Sequence, residues 1–159
     1  MADRPFAAGS LVGSRAWIIR DSGTLSGVYH RVPWSAGLNL AECLPTPGVG
    51  DGPHELVGID CECGFYAYHD GSNDYWQDRV GWTDYRVAGI IEGWGRCVVG
   101  LRGFRCEKAE IRALIVPEDV DDVLMGRIRN SYPAVPWFDT QADAQAAFPL
   151  TVETREVVT

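Results

Sequence analysis

The chain has 159 residues, an apolar fraction of 46% and a formal net charge of −8. Such a length and composition suit one globular domain with a real core, and no apolar run approaches the ~20 residues that span a bilayer. With 22 acidic against 14 basic side chains and no basic run, a duplex-binding surface of clustered Lys and Arg is disfavoured. Residues 1–5 lack the charged-then-apolar pattern of a leader, so the cytoplasm is the expected compartment. There, five cysteines are expected as thiols or metal ligands rather than disulfides.

The expected organisation is a flexible arm over residues 1–10, a single domain over 11–150, and a tail or edge strand over 151–159. Residues 11–20, around Trp17, Ile18 and Ile19, read as a strand. Asp21-Ser22-Gly23-Thr24 has turn chemistry, and residues 25–30 return as the second arm of a hairpin that Pro33-Trp34 breaks. Residues 38–43 alternate Leu38 and Leu40 against Asn39 and Ala41, predicting a third strand with Cys43 at its end.

Residues 44–60 are punctuated by Pro45, Pro47, Gly48, Gly50, Gly52, Pro53 and Gly58. A structureless connection longer than about 12–15 residues is uncommon in a compact domain and needs a reason. Residues 64–69 are short and aromatic. Residues 70–85 place Tyr75, Trp76, Trp82 and Tyr85 among acidic residues and read as a surface excursion.

Residues 86–99 are the strongest β segment. Val87, Gly89, Ile91, Gly93 and Gly95 share one face of its alternation, which predicts a ring or a second backbone packed close against them. Gly100-Leu101-Arg102-Gly103 is a tight turn. Residues 104–116 return as a strand, with some helical potential over 107–115. A turn on Leu101-Arg102 sets Cys97 opposite Cys106, at about 4.5–5.5 Å between Cβ atoms. That is slightly long for a relaxed disulfide, so the pair reads as two small apolar residues in a sheet.

After Pro117 the period changes. Val120, Val123, Leu124 and Ile128 fit one helical face. Glu118, Asp119, Asp121 and Asp122 come first and Arg127 and Arg129 last, as the helix dipole favours. Pro133 and Pro136 end that helix. Thr140 caps a second helix over residues 141–147, which Pro149 stops.

Cys43, His54, Cys61 and Cys63 form the pattern C-x10-H-x6-C-x-C. Thiolates and an imidazole suit zinc, and four protein ligands close its tetrahedron and leave no position for water. The set is therefore expected to be a structural clip; the alternatives are reduced cysteines beside a surface histidine, or a disulfide. No G-x-S-x-G, P-loop or H-E-x-x-H is present. The candidates for an enzyme with an unrecognised polar pocket are His69, Asp70 and Glu92. Tyr75, Trp76, Trp82 and Tyr85 are the partner-binding candidates, because Trp and Tyr dominate interface hot spots.

Two groups of residues carry a resemblance. One is Gly13-x-Arg15-Ala16-Trp17, Trp34, Ala41-x-Cys43, His54 and Cys61-x-Cys63-Gly64-x-Tyr66-Ala67. The other is Val87-x-Gly89-x-Ile91-x-x-Trp94-Gly95 with Gly103-Phe104-Arg105-x-Glu107-x-Ala109. Over residues 11–116 the chain resembles a group of small actinobacterial and actinobacteriophage proteins that have no established activity. The resemblance implies the cysteine–histidine cluster but no mechanism. In that group the positions of Cys97 and Cys106 are apolar, and that of Ser14 is a larger residue.

The expected fold class is thus α+β: a twisted antiparallel sheet or partly open barrel, a zinc-clipped loop and two C-terminal helices. The expected function is a non-enzymatic, zinc-stabilised adaptor or regulatory protein that binds another protein. Neither membrane nor nucleic acid is an expected partner.

Overall fold

The computed structural model describes residues 9–28, 32–42, 57, 63–70 and 85–151. They form an α+β fold in which one largely antiparallel sheet carries two helices. The frame is the hairpin of β5 (Arg86–Val99) and β6 (Gly103–Ile115). It turns on Leu101-Arg102, where the Gly100 N–H donates to the Gly103 carbonyl at 2.8 Å.

Two irregularities bend this hairpin. Gly95 and Arg96 together oppose Glu107, and Gly95 takes the positive φ of 79° that such a bulge requires. Further along, Arg112 is the extra residue, between the pairs Ile91–Ile111 and Ile90–Ala113. The ladder keeps residues 107–115 extended, so the helical potential there is overridden by pairing.

Strand β1 (Leu11–Ile19) runs antiparallel along the first part of β5's outer edge, from Leu11 opposite Gly93 to Ile18 opposite Arg86. The opposite edge of β6 is patched by three short strands placed end to end. These are β4 (Phe65–Tyr68), β3 (Asn39–Leu40) and β7 (Trp137–Phe138), the last of them parallel. One rung between β1 and β4, Ser14 opposite Tyr68, closes β1, β5, β6 and β4 into a ring.

The glycines let this ring shut. A Cβ on Gly89 would strike the Ala113 carbonyl and stand 2.9 Å from the Trp17 ring; one on Gly93 would stand 2.8 Å from Cys106 Sγ. Both sit on the face expected to receive a ring or backbone. The main core lies on that face and joins Leu11, Trp17, Val87, Ile91, Phe104 and Leu114 to Trp34.

Helix α1 (Asp122–Ser131) covers it with Ile128, while Tyr132 at its C-cap reaches β2 (Leu25–Ser26). The Tyr132 hydroxyl accepts from the Leu25 N–H at 2.8 Å and donates to the Trp34 carbonyl at 2.7 Å. Burial raises its pKa, partly offset by the Leu25 hydrogen bond. The sheet's other face holds a smaller core of Ile90, Ala113, Ala144 and Leu150 under α2 (Gln141–Ala147). Thr140 caps α2 by accepting from the Asp143 N–H, as its sequence predicts.

Several expectations are corrected. The return strand spans only Leu25–Ser26, because the chain then folds back so that Ser26 pairs with Pro33. The third strand, expected over 38–43, spans only Asn39–Leu40, with Leu38 and Leu40 exposed and Asn39 and Ala41 buried. Asn39 can go inside because it accepts from the Ser35 N–H at 2.7 Å and donates to the Gly37 carbonyl at 3.1 Å. Helix α1 begins only at Asp122, with Asp121 as its cap, so Glu118 and Asp119 precede it.

Cys97 and Cys106 are not two reduced residues but a disulfide. The turn bond at Gly100 and Gly103 makes alternate rungs hydrogen-bonded, which leaves Cys97–Cys106 at a narrow, non-hydrogen-bonded position. Their Cα atoms are 4.2 Å apart, the close approach of a narrow rung, which the typical Cβ spacing used above did not take into account. Among the described residues no helix is long and apolar enough to cross a membrane.

Candidate functional site

The register of β6 brings together the described residues that flank 43–62. The outgoing limb places Asn39 opposite Ala109 and Leu40 opposite Lys108, and the Ala41 N–H donates to the Glu107 carbonyl at 2.8 Å. The returning limb places Phe65 opposite Cys106. The chain thus leaves the sheet after Ala41 and rejoins it at Phe65, at consecutive positions of one edge, a step of about 3.3 Å along a strand. Cys43 follows Glu42 by one peptide bond, and Cys63 precedes the returning strand by two residues.

Cys63 is a half-buried thiol. Its Sγ accepts the Val57 N–H at 3.1 Å and its carbonyl accepts from Arg105 Nη1 at 2.9 Å. Val57 is itself buried and takes a left-handed φ of 56°, unusual for a β-branched residue. Cys43, His54 and Cys61 lie outside the described residues, and among those described no group of three or more metal-binding side chains gathers.

The returning limb is held by side chains to which the sequence assigned no role there. Arg15 is buried on the Trp17 side of β1; its guanidinium lies 4.5 Å from the Trp34 ring centre and 5.2 Å from that of Trp17. Its Nη1 donates to the Tyr66 carbonyl at 3.2 Å. The arginine spans the place where the β1–β4 ladder thins to its single rung. Trp34 in turn packs edge-on against Trp17 at 5.5 Å and against Phe65 at 4.7 Å. The available signal was an Arg at the same strand phase as Trp17, in a segment apolar on both faces.

Of the partner-binding candidates, Tyr75, Trp76 and Trp82 lie outside the described residues. Tyr85 is exposed, and its carbonyl accepts from the Ile19 N–H.

The enzyme candidates are described and do not form one site. His69 Nε2 meets the Gly100 carbonyl at 2.9 Å; a carbonyl only accepts, so that nitrogen carries the proton. Asp70, its chain neighbour, is exposed. His69 lies opposite Arg102 while Glu92 lies opposite Glu110, eight residues further along β6 (110 − 102). Glu92 is bound up in an ion-pair cluster: Arg112 donates to it at 2.6 Å and also contacts Glu110 at 3.1 Å. An arginine shared by two opposed carboxylates ties the strands together at the bulge, which is a structural task.

No protein-family model matches the chain, and no match is found among curated proteins or among solved structures.

Proposed function

We propose that the protein is a non-enzymatic adaptor or regulatory protein. In this reading residues 43–62 are clipped at their base by a structural zinc on Cys43, His54, Cys61 and Cys63. The observation that supports it is the register of β3 and β4 on consecutive positions of β6, which brings the described residues on either side of 43–62 close together. The Val57 N–H on Cys63 Sγ adds a donor that suits a thiolate ligand. Zinc would supply folding free energy to a segment whose many Gly and Pro give it no core of its own. The partner is a protein, met by Tyr75, Trp76, Trp82 and Tyr85, and the setting is the cytoplasm.

Metal analysis of the tag-free protein tests this. About one zinc per chain is expected from closure by four ligands. Metal-free protein in which Cys43, Cys61 and Cys63 all react with alkylating reagent would remove the clip. Cys61→Ser with Cys63→Ser should raise hydrogen exchange over residues 44–85, weaken partner binding and leave β5 protected. Unchanged exchange over 44–85 would equally remove the clip, and loss of protection along β5 would mean the metal is required for the whole fold.

A further inference from the structure

The Cys97–Cys106 disulfide has no place in the function proposed above. It joins two strands that are already paired on either side of it, at Trp94–Lys108 and Val98–Arg105, so the hairpin holds its register without it. In a reducing compartment a protein disulfide is seldom a permanent staple and is more often catalytic or redox-responsive. We propose that this pair is a redox-operated latch on the returning limb, Cys63 to Tyr68. The proposal rests on the described contacts and on the cytoplasmic setting proposed above, not on the zinc reading.

Cys106 stands between the two systems. On one side it is bonded to Cys97 of β5; on the other it pairs with Phe65, the first residue of β4. A Cβ on Gly64 would stand 3.2 Å from the Cys106 carbonyl, and the neighbouring Arg105 holds the Cys63 carbonyl. Reduction moves the two sulfurs from a bond of about 2 Å to non-bonded contact.

Cys106 has no room to retreat toward β5. A Cβ on Gly93 would stand 2.8 Å from the Cys106 Sγ and 3.3 Å from the Phe104 ring, so the Gly93 backbone and that ring already occupy this side. The side that yields is β4, four residues long and tied to β1 by one rung. The reduced form therefore loosens the Phe65–Cys106 pairing, and the limb carrying Cys63 goes with it.

Both sulfurs are fully buried, so a reductant reaches them when the hairpin tip frays. Two rungs, Val98–Arg105 and Val99–Phe104, separate the pair from the Gly100–Gly103 turn. The reductant is a dithiol. One of its thiolates attacks a sulfur of the bridge and expels the other cysteine as thiolate, which takes up a proton. Its second thiol then displaces the first cysteine and leaves as a cyclic disulfide. Two electrons and two protons pass to Cys97 and Cys106.

The experiment compares amide exchange in the full chain as purified in air, after dithiol reduction, and in Cys97→Ala/Cys106→Ala without reductant. The double variant separates loss of the bridge from metal removal by the dithiol. Before reduction the denatured wild type should show three reactive thiols of its five cysteines. Exchange over Phe65–Tyr68 should rise about tenfold or more in both the reduced protein and the variant, as local opening does, while β1 amides facing β5 stay protected. Five reactive thiols in the air-purified chain, equal protection of Phe65–Tyr68 in all three samples, or a uniform rise that includes β1 would each overturn the latch.

Discussion

The two edges of β6 are built in different ways. Along one, β5 pairs at nine positions from Gly89 to Val99, and its glycines let Trp17 and Phe104 press onto the strands. Along the other, three strands of two to four residues share the edge, and side chains make up what the backbone does not. Arg15 and Arg105 hold carbonyls of the returning limb, and Trp34 packs its ring on Phe65. A long ladder opens as one cooperative unit, whereas a short strand pinned by side chains can open alone. The stiff edge is the frame, and the patched edge is where the proposed clip and latch act.

The sharpest way to break this contrast is to damage the frame. Gly89→Ala puts a Cβ into the Ala113 carbonyl and the Trp17 ring, and backbone cannot step aside as a flexible side chain can. A loss of about 3 kcal/mol is expected, at the upper end for overpacking, with the whole protein unfolding at a lower denaturant midpoint. An effect confined to β4 would mean that the two edges are not distinct units.

A smaller effect should follow from the patched edge. Arg15→Met keeps much of the apolar stem but loses the charged donor to Tyr66 and the stacking on Trp34. About 2 kcal/mol is expected, from a charge-assisted hydrogen bond and a desolvated cation–π contact. Hydrogen exchange should rise over Phe65–Tyr68 and not over β5. Equal loss on both edges would show that the ring opens as one piece.

The smallest change concerns the tie between α1 and the rim of the main core. Tyr132→Phe leaves the buried Leu25 N–H without its acceptor, at an expected cost of about 1–2 kcal/mol. The titration has a definite sign. Burial favours the neutral phenol, so the folded pKa lies above the ordinary 10.0. The unfolded state loses that proton first as pH rises. The contribution is whole below pH 10.0 and is lost as pH climbs through the raised folded value. Chemical denaturation between pH 8 and 11 should show this extra alkaline loss in the wild type and not in the phenylalanine variant.

Much of the frame was legible because its signals are local. The period of β5, the turn chemistry at Leu101-Arg102, the glycine face and the Thr140 cap each act within a few residues, and each stands as read. What escaped depends on distant partners. Leu40 points outward because Asn39 has its own hydrogen-bonding loop at Ser35 and Gly37. The disulfide escaped because the narrow class of its rung follows from the hydrogen-bond phase set at the turn, not from spacing. Arg15 escaped because its role arises where β1 and β4 part, a place defined by chain segments some fifty residues apart. At the candidate site, the ligand set was read from residue types. The meeting of its two limbs became visible only with the β6 register.

The ring closure has a consequence for how the chain reaches its fold and how it can change. The β5–β6 hairpin needs only contacts near in sequence, so it can form early. β1 must then cross a separation of 82 residues, from Leu11 to Gly93, to join it, and residues 43–62 lie inside that span. The entropy of closing such a loop grows only with the logarithm of its length, about 0.6 kcal/mol for a doubling. Residues inserted into or deleted from that segment therefore hardly alter the search for the native pairing. Evolution, or a protein engineer, can exchange what the frame displays while the folding route stays the same.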